Sequence, residues 1–594
     1  MRARSLSRRS FFVISGGGAL TLLAACNAPF APPATTPSPT PEPLPTPVPL
    51  PTPVPTPPGL GVVAPGGDPQ GAAFARALDA YLAAQPLDLA GALLAGTAPN
   101  TGGASAPQIT VTMSAPPVSG MVTQRISRLY ALVTNWRNPL RNITRTELVG
   151  VLGGALPDWG RLGSPVPGAV ARFDYIPGGL PIPPELPAAL PAVAGYADYE
   201  GLVAALEAAP LAFAIVPLDA IDFRVGALAI DGSDPLAGRG DPLAYPLRHD
   251  LWLSWDPALG AGLRDAINAF AIGQGYAPDP AAPLGNPINL TVAGDIIFGR
   301  TVHRRMVRYD DWAHPLRLVA PRLRDADLTI ADLECSLSDT IEQPGDPFTF
   351  SFTTATAAVE GLKLAGIDGV SLANNHSMNF GEPGLNDTLA TLAANKIAAF
   401  GGGPTLAAAR QPGRFAVKGT NFAFLGYDGI TADDYGAGAN WGGTCPLRRQ
   451  ILLDDLAALR ADPAAPLIVP FFHWSAEYVA VPSAEMRALA HLAIDNGAAL
   501  VVGSHPHWVQ GTEWYKGRPI LYSLGNFVFD QDWSVETKQG MFAEFVIRER
   551  QIARVRLVPV QIEDFNQPRF LDIGEGMDVL QRVYDATDAI KTMA

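Results

Sequence analysis

Six times between Ile288 and Ser523 a short apolar run stops at a turn rich in polar side chains or glycine, and this pattern limits the possible fold more than any other feature. Ile288 to Ala293 stops at Gly294-Asp295, Leu328 to Ala331 at Asp332-Leu333-Glu334, and Val370 to Ala373 at Asn374-Asn375-His376. Leu467 to Phe472 stops at His473, Leu500 to Val502 at the turn holding His505 and His507, and Ile520 to Ser523 at Gly525-Asn526. Helical patterns lie between some of the runs, such as Gly384 to Asn395 and Ser483 to Asn496, the latter closed by Gly497. Strands alternating with helices predict an α/β fold built on layered sheets. In such folds, sites form beyond the carboxyl ends of the strands.

The first five endings each hold a group able to bind metal. The chain has 8 histidines, and His376, His473, His505 and His507 fall in these turns. Around the last two, Gly503 breaks the run and Pro506 biases the residue before it toward extended backbone. Side chains at i and i+2 of an extended chain point the same way, so the imidazoles of His505 and His507 are expected to converge. The competing reading of that stretch alone is a surface loop with two histidines. His249, His303, His314 and His491 lie in polar, loop or helical segments and are expected to be unligated. Mixed nitrogen and oxygen donors suit Mn, Fe or Zn better than Ca, and the set is large enough for one or two ions.

In order, the motifs are Gly294-Asp295 with Arg300, Asp332-Leu333-Glu334, Asn374-Asn375-His376, His473-Trp474-Ser475-Ala476-Glu477, Gly503-Ser504-His505-Pro506-His507 with Gln510, and Ser523-Leu524-Gly525-Asn526-Phe527. Together they resemble the CapA-type proteins of capsule (poly-γ-glutamate) synthesis, which are similar to calcineurin-like metallophosphoesterases. The resemblance covers residues 286–575 and implies a four-layer α/β/β/α sandwich. It implies that Asp295 and His507 bind a first metal, that Glu334 bridges or binds a second, and that Asn375, His473 and His505 complete the second. It further implies that His376 donates a proton to a leaving group and that Arg300 or Gln510 contacts a phosphate or other acidic group. The chain also departs from the phosphoesterase pattern. Asp295 is followed by Ile296 and Ile297 where Asp-x-His is usual, the bridging residue is Glu334 in place of Asp, and the Asp332 position is commonly Asn.

Residues 59–283 form another globular region, since 594 residues are too many for one core. Ala72 to Ala83 reads as a helix, Gln108 to Met113 as a strand and Leu211 to Val216 as a buried strand ended by Pro217. Thr144 to Glu147 is a capping-box pattern at a helix start. The run from Thr134 to Trp159, with Tyr245-Pro246-Leu247 leading to Leu251-Trp252-Leu253, resembles a phosphate-type periplasmic solute-binding domain. No Ser- or Thr-rich anion loop stands out, and no ligand-binding residue is carried over.

Residues 1–26 are read as a targeting signal. Ser7-Arg8-Arg9-Ser10-Phe11-Phe12 resembles the twin-arginine export signal, and Leu23-Ala24-Ala25-Cys26 a lipobox. That resemblance implies cleavage before Cys26 and its acylation, hence a lipid anchor and an extracytoplasmic place. Residues 27–58 are a proline-rich linker in which Leu44 to Pro49 repeats as Leu50 to Pro55, a polyproline-type stalk reaching roughly 80 Å if extended. Cys335 and Cys445 alone follow Cys26, too few for a disulfide framework. A net charge of −14 and the lack of a basic face argue against a nucleic-acid partner.

The expected function is a surface-anchored, metal-dependent phosphohydrolase-like protein in capsule or envelope polymer synthesis. Its partners would be an envelope polymer or phosphoester substrate and the membrane subunits of a synthesis complex. The alternative is a non-catalytic polymer-binding or assembly subunit. A third reading makes the 59–283 region an anion-sensing module.

Overall fold

The computed structural model describes residues 61–64, 69–84, 108–112, 120–165, 167–176, 192–257, 261–278, 285–346 and 348–593. The signal at residues 1–26 and the linker at 27–58 lie outside the described residues. No helix of the described residues is long and apolar enough to cross a membrane.

Apolar periodicity decides the layers of the C-terminal half. Along Ile288–Ile296, Leu290 and Val292 face one way and Ala293 the other, as period-2 strand geometry requires. Leu290, Val292 and Ile330 share a core with Phe424, Val469 and Val502, so two sheets meet face to face. Outside the first sheet, Val302, Leu362 and Leu385 of three helices pack on Ala331 and Val370. Outside the second, Leu452, Leu456, Met486 and Ala490 of the helices Arg449–Arg460 and Ala484–Asp495 pack on Ile468 and Val501. The result is the expected α/β/β/α sandwich.

The first sheet has 8 strands in the order Ala398–Phe400, Gly369–Ser371, Leu328–Leu333, Ile288–Ile296, Gln539–Arg548, Gln551–Glu563, Gln567–Phe570, with Asn526–Val528 also paired to Ile288–Ile296. The second has 6, in the order Gly413–Val417, Thr420–Asp428, Leu467–His473, Val501–Ser504, Arg518–Leu521, Thr512–Tyr515. The long hairpin Gln539–Glu563 and the strand Thr420–Asp428 were not expected from the sequence. Strand ends also move. Leu328–Leu333 runs through Asp332, and Ile288–Ile296 runs through Gly294-Asp295 instead of stopping there.

The earlier region folds on another 8-stranded sheet. Its long strand Val122–Asn135 pairs antiparallel with Arg248–Trp255 on one side and Ala212–Pro217 on the other. The capping box is present: Glu147 N donates to Thr144 Oγ1 at 3.1 Å, and Thr144 N to Glu147 Oε2 at 2.7 Å. Trp159 is buried and its indole N–H bonds Leu211 O. This region and the sandwich belong to one compact unit, joined by Arg554–Asp234, Arg137–Asp588 and the edge-to-face pair Trp136–Trp514.

Candidate metal centre

Parallel strands of both sheets end at the same rim, and the polar residues of the strand endings collect there. Backbone irregularity places the first of them. The register of Ile288–Ile296 against Leu328–Leu333 shifts between Val292 and Asp295, a bulge that sets Asp295 opposite Asp332. A Cβ on Gly294 would come within 2.1 Å of Gly525 O, so only glycine lets the Ser523–Asn526 turn lie against this strand. That close approach puts Asn526 opposite Asp295, where its Oδ1 lies 2.8 Å from His507 Nδ1.

The histidine turn differs from the expectation. His505 has φ 91° and His507 φ 57°, so neither is on extended backbone. Both lie in the left-handed region that costs a non-glycine residue about 1–3 kcal/mol, a strain that clusters at functional sites. Gly503 precedes them at a point where a Cβ would meet Tyr522 O at 2.1 Å. The two rings still converge, with centroids 5.8 Å apart. Convergence therefore comes from two left-handed residues around Pro506 and not from strand periodicity.

Most of the expected ligands gather in three overlapping groups, together with Asp332 and Glu477, which are not in the expected set. Donor atoms of Asp295, Glu334 and His507 lie within 4.8 Å of one another, as do those of Asp332, Glu334 and His473, and those of Glu477, His505 and His507. Glu334 belongs to two groups, as a bridging ligand would. Asn375 Oδ1 lies 2.7 Å from His473 Nε2, and His505 Nδ1 3.1 Å from the same nitrogen. Asn375, His473 and His505 thus converge through these two contacts.

Orphaned buried oxygens test whether a cation fits. Asp295 and Glu334 are fully buried, and Asp295 Oδ1 and both Glu334 carboxylate oxygens have no hydrogen-bond partner among the described residues. Burial without a donor costs a carboxylate several kcal/mol, and a divalent ion removes that cost. Burial, with Asp295 and Asp332 beside it, pushes the Glu334 carboxyl well up. Burial also raises Asp332, although His473 opposes the rise. Burial works against the His473 imidazolium, but the Asp332 carboxylate outweighs it and raises that ring. His505 is pushed well below the ordinary histidine range by burial and the neighbouring imidazoles. The donor set and the unmet oxygens fit a divalent cation.

Three residues have surroundings that alter their expected roles. His376 is buried, and burial lowers it to about 3. Its Nδ1 lies 3.0 Å from Asn379 Oδ1 and its Nε2 3.0 Å from Asn375 Nδ2, so it is a neutral ring held at both ends. Arg300 does not reach toward an anion. Its guanidinium pairs with the buried Asp530 and lies between the rings of Phe352 and Phe529, at 5.0 and 4.9 Å. Gln510 is buried and donates its amide to Val479 O at 2.9 Å. Neither side chain is open to a phosphate as expected.

The motifs contain Asp332, Asn374 and Ser504 without showing the supporting role that the structure gives them. Asp332 Oδ2 accepts from Ser504 Oγ at 2.8 Å and lies 2.8 Å from His473 Nδ1. Asn374 donates to Asp332 Oδ1 at 3.0 Å, while its own oxygen takes the N–H groups of His376 and Ser377. The position of Asp332 near the end of Leu328–Leu333, two residues before Glu334, was the signal available. The other histidines bond away from the centre: His249 to Tyr276, His303 to Thr354, His314 to Asn566 and His491 to Glu513.

Residues 289–531 match the family described as "Bacterial capsule synthesis protein PGA_cap". The capsule biosynthesis protein CapA of Bacillus anthracis is 31% identical over 286 residues, covering 47% of this chain and 68% of that protein. Among solved structures, a 5'-nucleotidase precursor from Thermus thermophilus is 12% identical, with a TM-score of 0.30 over 52% of this chain and 59% of its own. PstS from Borrelia burgdorferi is 10% identical, with a TM-score of 0.25 over 36% of this chain and 98% of its own. At such low scores these two likenesses add nothing to the fold assignment, which rests on the sheets themselves.

Proposed function

Since the chain belongs to the bacterial capsule synthesis family of CapA, we propose that it serves in making or exporting a poly-γ-glutamate-type envelope polymer through a divalent metal centre with phosphohydrolase-like chemistry. The observation that carries this reading is the fully buried Glu334, both oxygens unmet, shared between the Asp295–His507 and Asp332–His473 groups. Asp295, Glu334 and His507 would hold one ion, and Glu334, Asn375, His473 and His505 another. When bound, Mn, Fe or Zn supplies Lewis-acid polarisation of an anionic oxygen.

The remaining roles belong to the chain's own side chains. Asp332 holds His473 through Nδ1, which would leave Nε2 free for a bound ion, the arrangement that fixes a ligating imidazole. Asn526 does the same for His507. Burial keeps His376 neutral, so it would have to take the proton that an attacking water loses, at Nε2, before returning one to the leaving group. Arg300 braces the rim through Asp530. The proposed substrates are phosphoesters or the polymer itself, and the proposed partners are the membrane subunits of the synthesis complex. The twin-arginine signal, acylation at Cys26 and the proline-rich stalk would place the centre outside the cytoplasm on a lipid anchor.

One observation favours a non-catalytic assembly role. Ile297 stands where a phosphoesterase has a ligand histidine, and it is buried in the core under the outer helices. Metal content decides between the readings. The chain from Gly59 onward, purified without chelator or nickel, is expected to carry about one or two transition-metal ions. His505→Ala/His507→Ala is expected to lose them. A folded wild type that takes up no Mn, Fe or Zn overturns the metal-centre reading and leaves the assembly role.

A further inference from the structure

Between the strand Leu467–His473 and the helix Ala484–Asp495 the chain runs as a loop along the histidine turn. Backbone bonds fasten the two together. Trp474 N donates to Ser504 O at 3.2 Å, and Tyr478 N to Pro506 O at 2.8 Å. Further contacts hold the same loop. The buried Trp474 indole donates to Tyr522 O at 3.0 Å, Gln510 donates to Val479 O at 2.9 Å, and Gln531 donates to the Tyr478 hydroxyl at 3.1 Å. Ser475 has φ 80° and Tyr478 φ 62°, so two non-glycine residues of this short loop take up the left-handed conformation. Such strain persists only where the surroundings impose it, and it clusters at functional sites.

Glu477 lies between these two strained residues. A carboxylate oxygen of Glu477 and ring nitrogens of His505 and His507 lie within 4.8 Å of one another. The two imidazoles are buried, whereas Glu477 is exposed, so its carboxylate meets the histidine pair from the solvent side. The other carboxylates of the centre, Asp295, Asp332 and Glu334, are all fully buried. Two imidazoles and one carboxylate are a donor set of catalytic zinc sites, which leave a further place for water or substrate. The centre is also short of one donor, because the buried side chain of Ile297 supplies none.

We propose that Glu477 is a further ligand of the metal centre, closing it on the solvent side together with His505 and His507. This assignment rests on the metal-centre reading. It explains why the loop is fastened to the histidine turn at both ends: a carboxylate on a free loop would lose more freedom on meeting an ion. A ligand on the open side is also the one that an incoming anionic oxygen can displace.

The test uses the full chain, treated with chelator and titrated with Zn or Co. Glu477→Gln keeps the size of the side chain, and its exposed position leaves folding intact, which circular dichroism checks. The wild type is expected to bind, and Glu477→Gln to bind about tenfold or more weakly. A charge acting only through space would be screened at about 1 M salt, where the Debye length is roughly 3 Å. The loss is therefore expected to persist there. The visible absorption of the Co-loaded protein, which follows the ligand set, is expected to differ between the two. A wild type that takes up neither metal overturns the metal-centre reading and this assignment with it. A wild type that binds overturns the assignment alone if Glu477→Gln binds equally well, recovers its affinity at high salt or leaves the Co spectrum unaltered.

Discussion

Asp332 Oδ2 lies 2.8 Å from His473 Nδ1, with both side chains buried, and it also accepts from Ser504 Oγ. The carboxylate thus selects which nitrogen of His473 faces Asn375 and His505. An imidazole held in this way is oriented before any ion arrives, so less ordering is left for binding.

Removing the charge at Asp332 tests that role. Asp332→Asn keeps the shape and the contact with Asn374 but weakens the hold on His473. The expected outcome is a metal affinity lower by about 10–100-fold, with far-UV circular dichroism unchanged. Isothermal titration with Zn or Mn into the chelator-treated protein measures it.

Glu334 governs the pH behaviour of the metal-free protein. Its carboxyl is raised above the ordinary 4.5, so the folded state keeps a proton that the unfolded chain releases. His473 is raised above 6.5, and its contribution to stability is likewise lost as pH rises through that higher value. His376 and His505 are lowered and oppose this trend, but only below the ordinary histidine value of 6.5. Above about pH 6.5 the metal-free protein should therefore lose stability as pH rises through the raised His473 and Glu334 values. Glu334→Gln should flatten that slope, raise metal-free stability at neutral pH by on the order of 1–3 kcal/mol and abolish metal uptake. Urea denaturation at several pH values reads all but the last, which metal analysis supplies.

Metal uptake should run the other way. Binding displaces the protons held by Glu334 and His473, so affinity is expected to rise with pH and each ion to release protons. Titrations in two buffers of different ionisation enthalpy count the protons.

Gly294→Ala probes the backbone that builds the rim. Its Cβ would sit 2.1 Å from Gly525 O, a backbone atom that cannot swing aside. The Ser523–Asn526 turn must move, and Asn526 with it, away from His507. A loss of about 1–3 kcal/mol is expected, with weakened metal binding. An unchanged melting temperature would show that the turn is not held against this strand.

Thr144→Ala removes a helix cap far from the centre. The reciprocal bonds with Glu147 predict a loss of about 1 kcal/mol and no change in metal content. It serves as a control that separates stability from the site.

The sequence by itself determined the alternation of strand and helix, the strand endings that meet at one rim, and the cap at Thr144. These follow from side-chain periodicity and local hydrogen bonding, which are properties of neighbouring residues. Only the tertiary structure decided the rest. The left-handed backbone at His505 and His507 depends on how the turn packs, and Pro506 alone suggested the opposite. The role of Asp332 depends on a contact with His473, 141 residues away. The resemblance implies an anion contact for Arg300. Asp530, 230 residues further on, takes its charge instead.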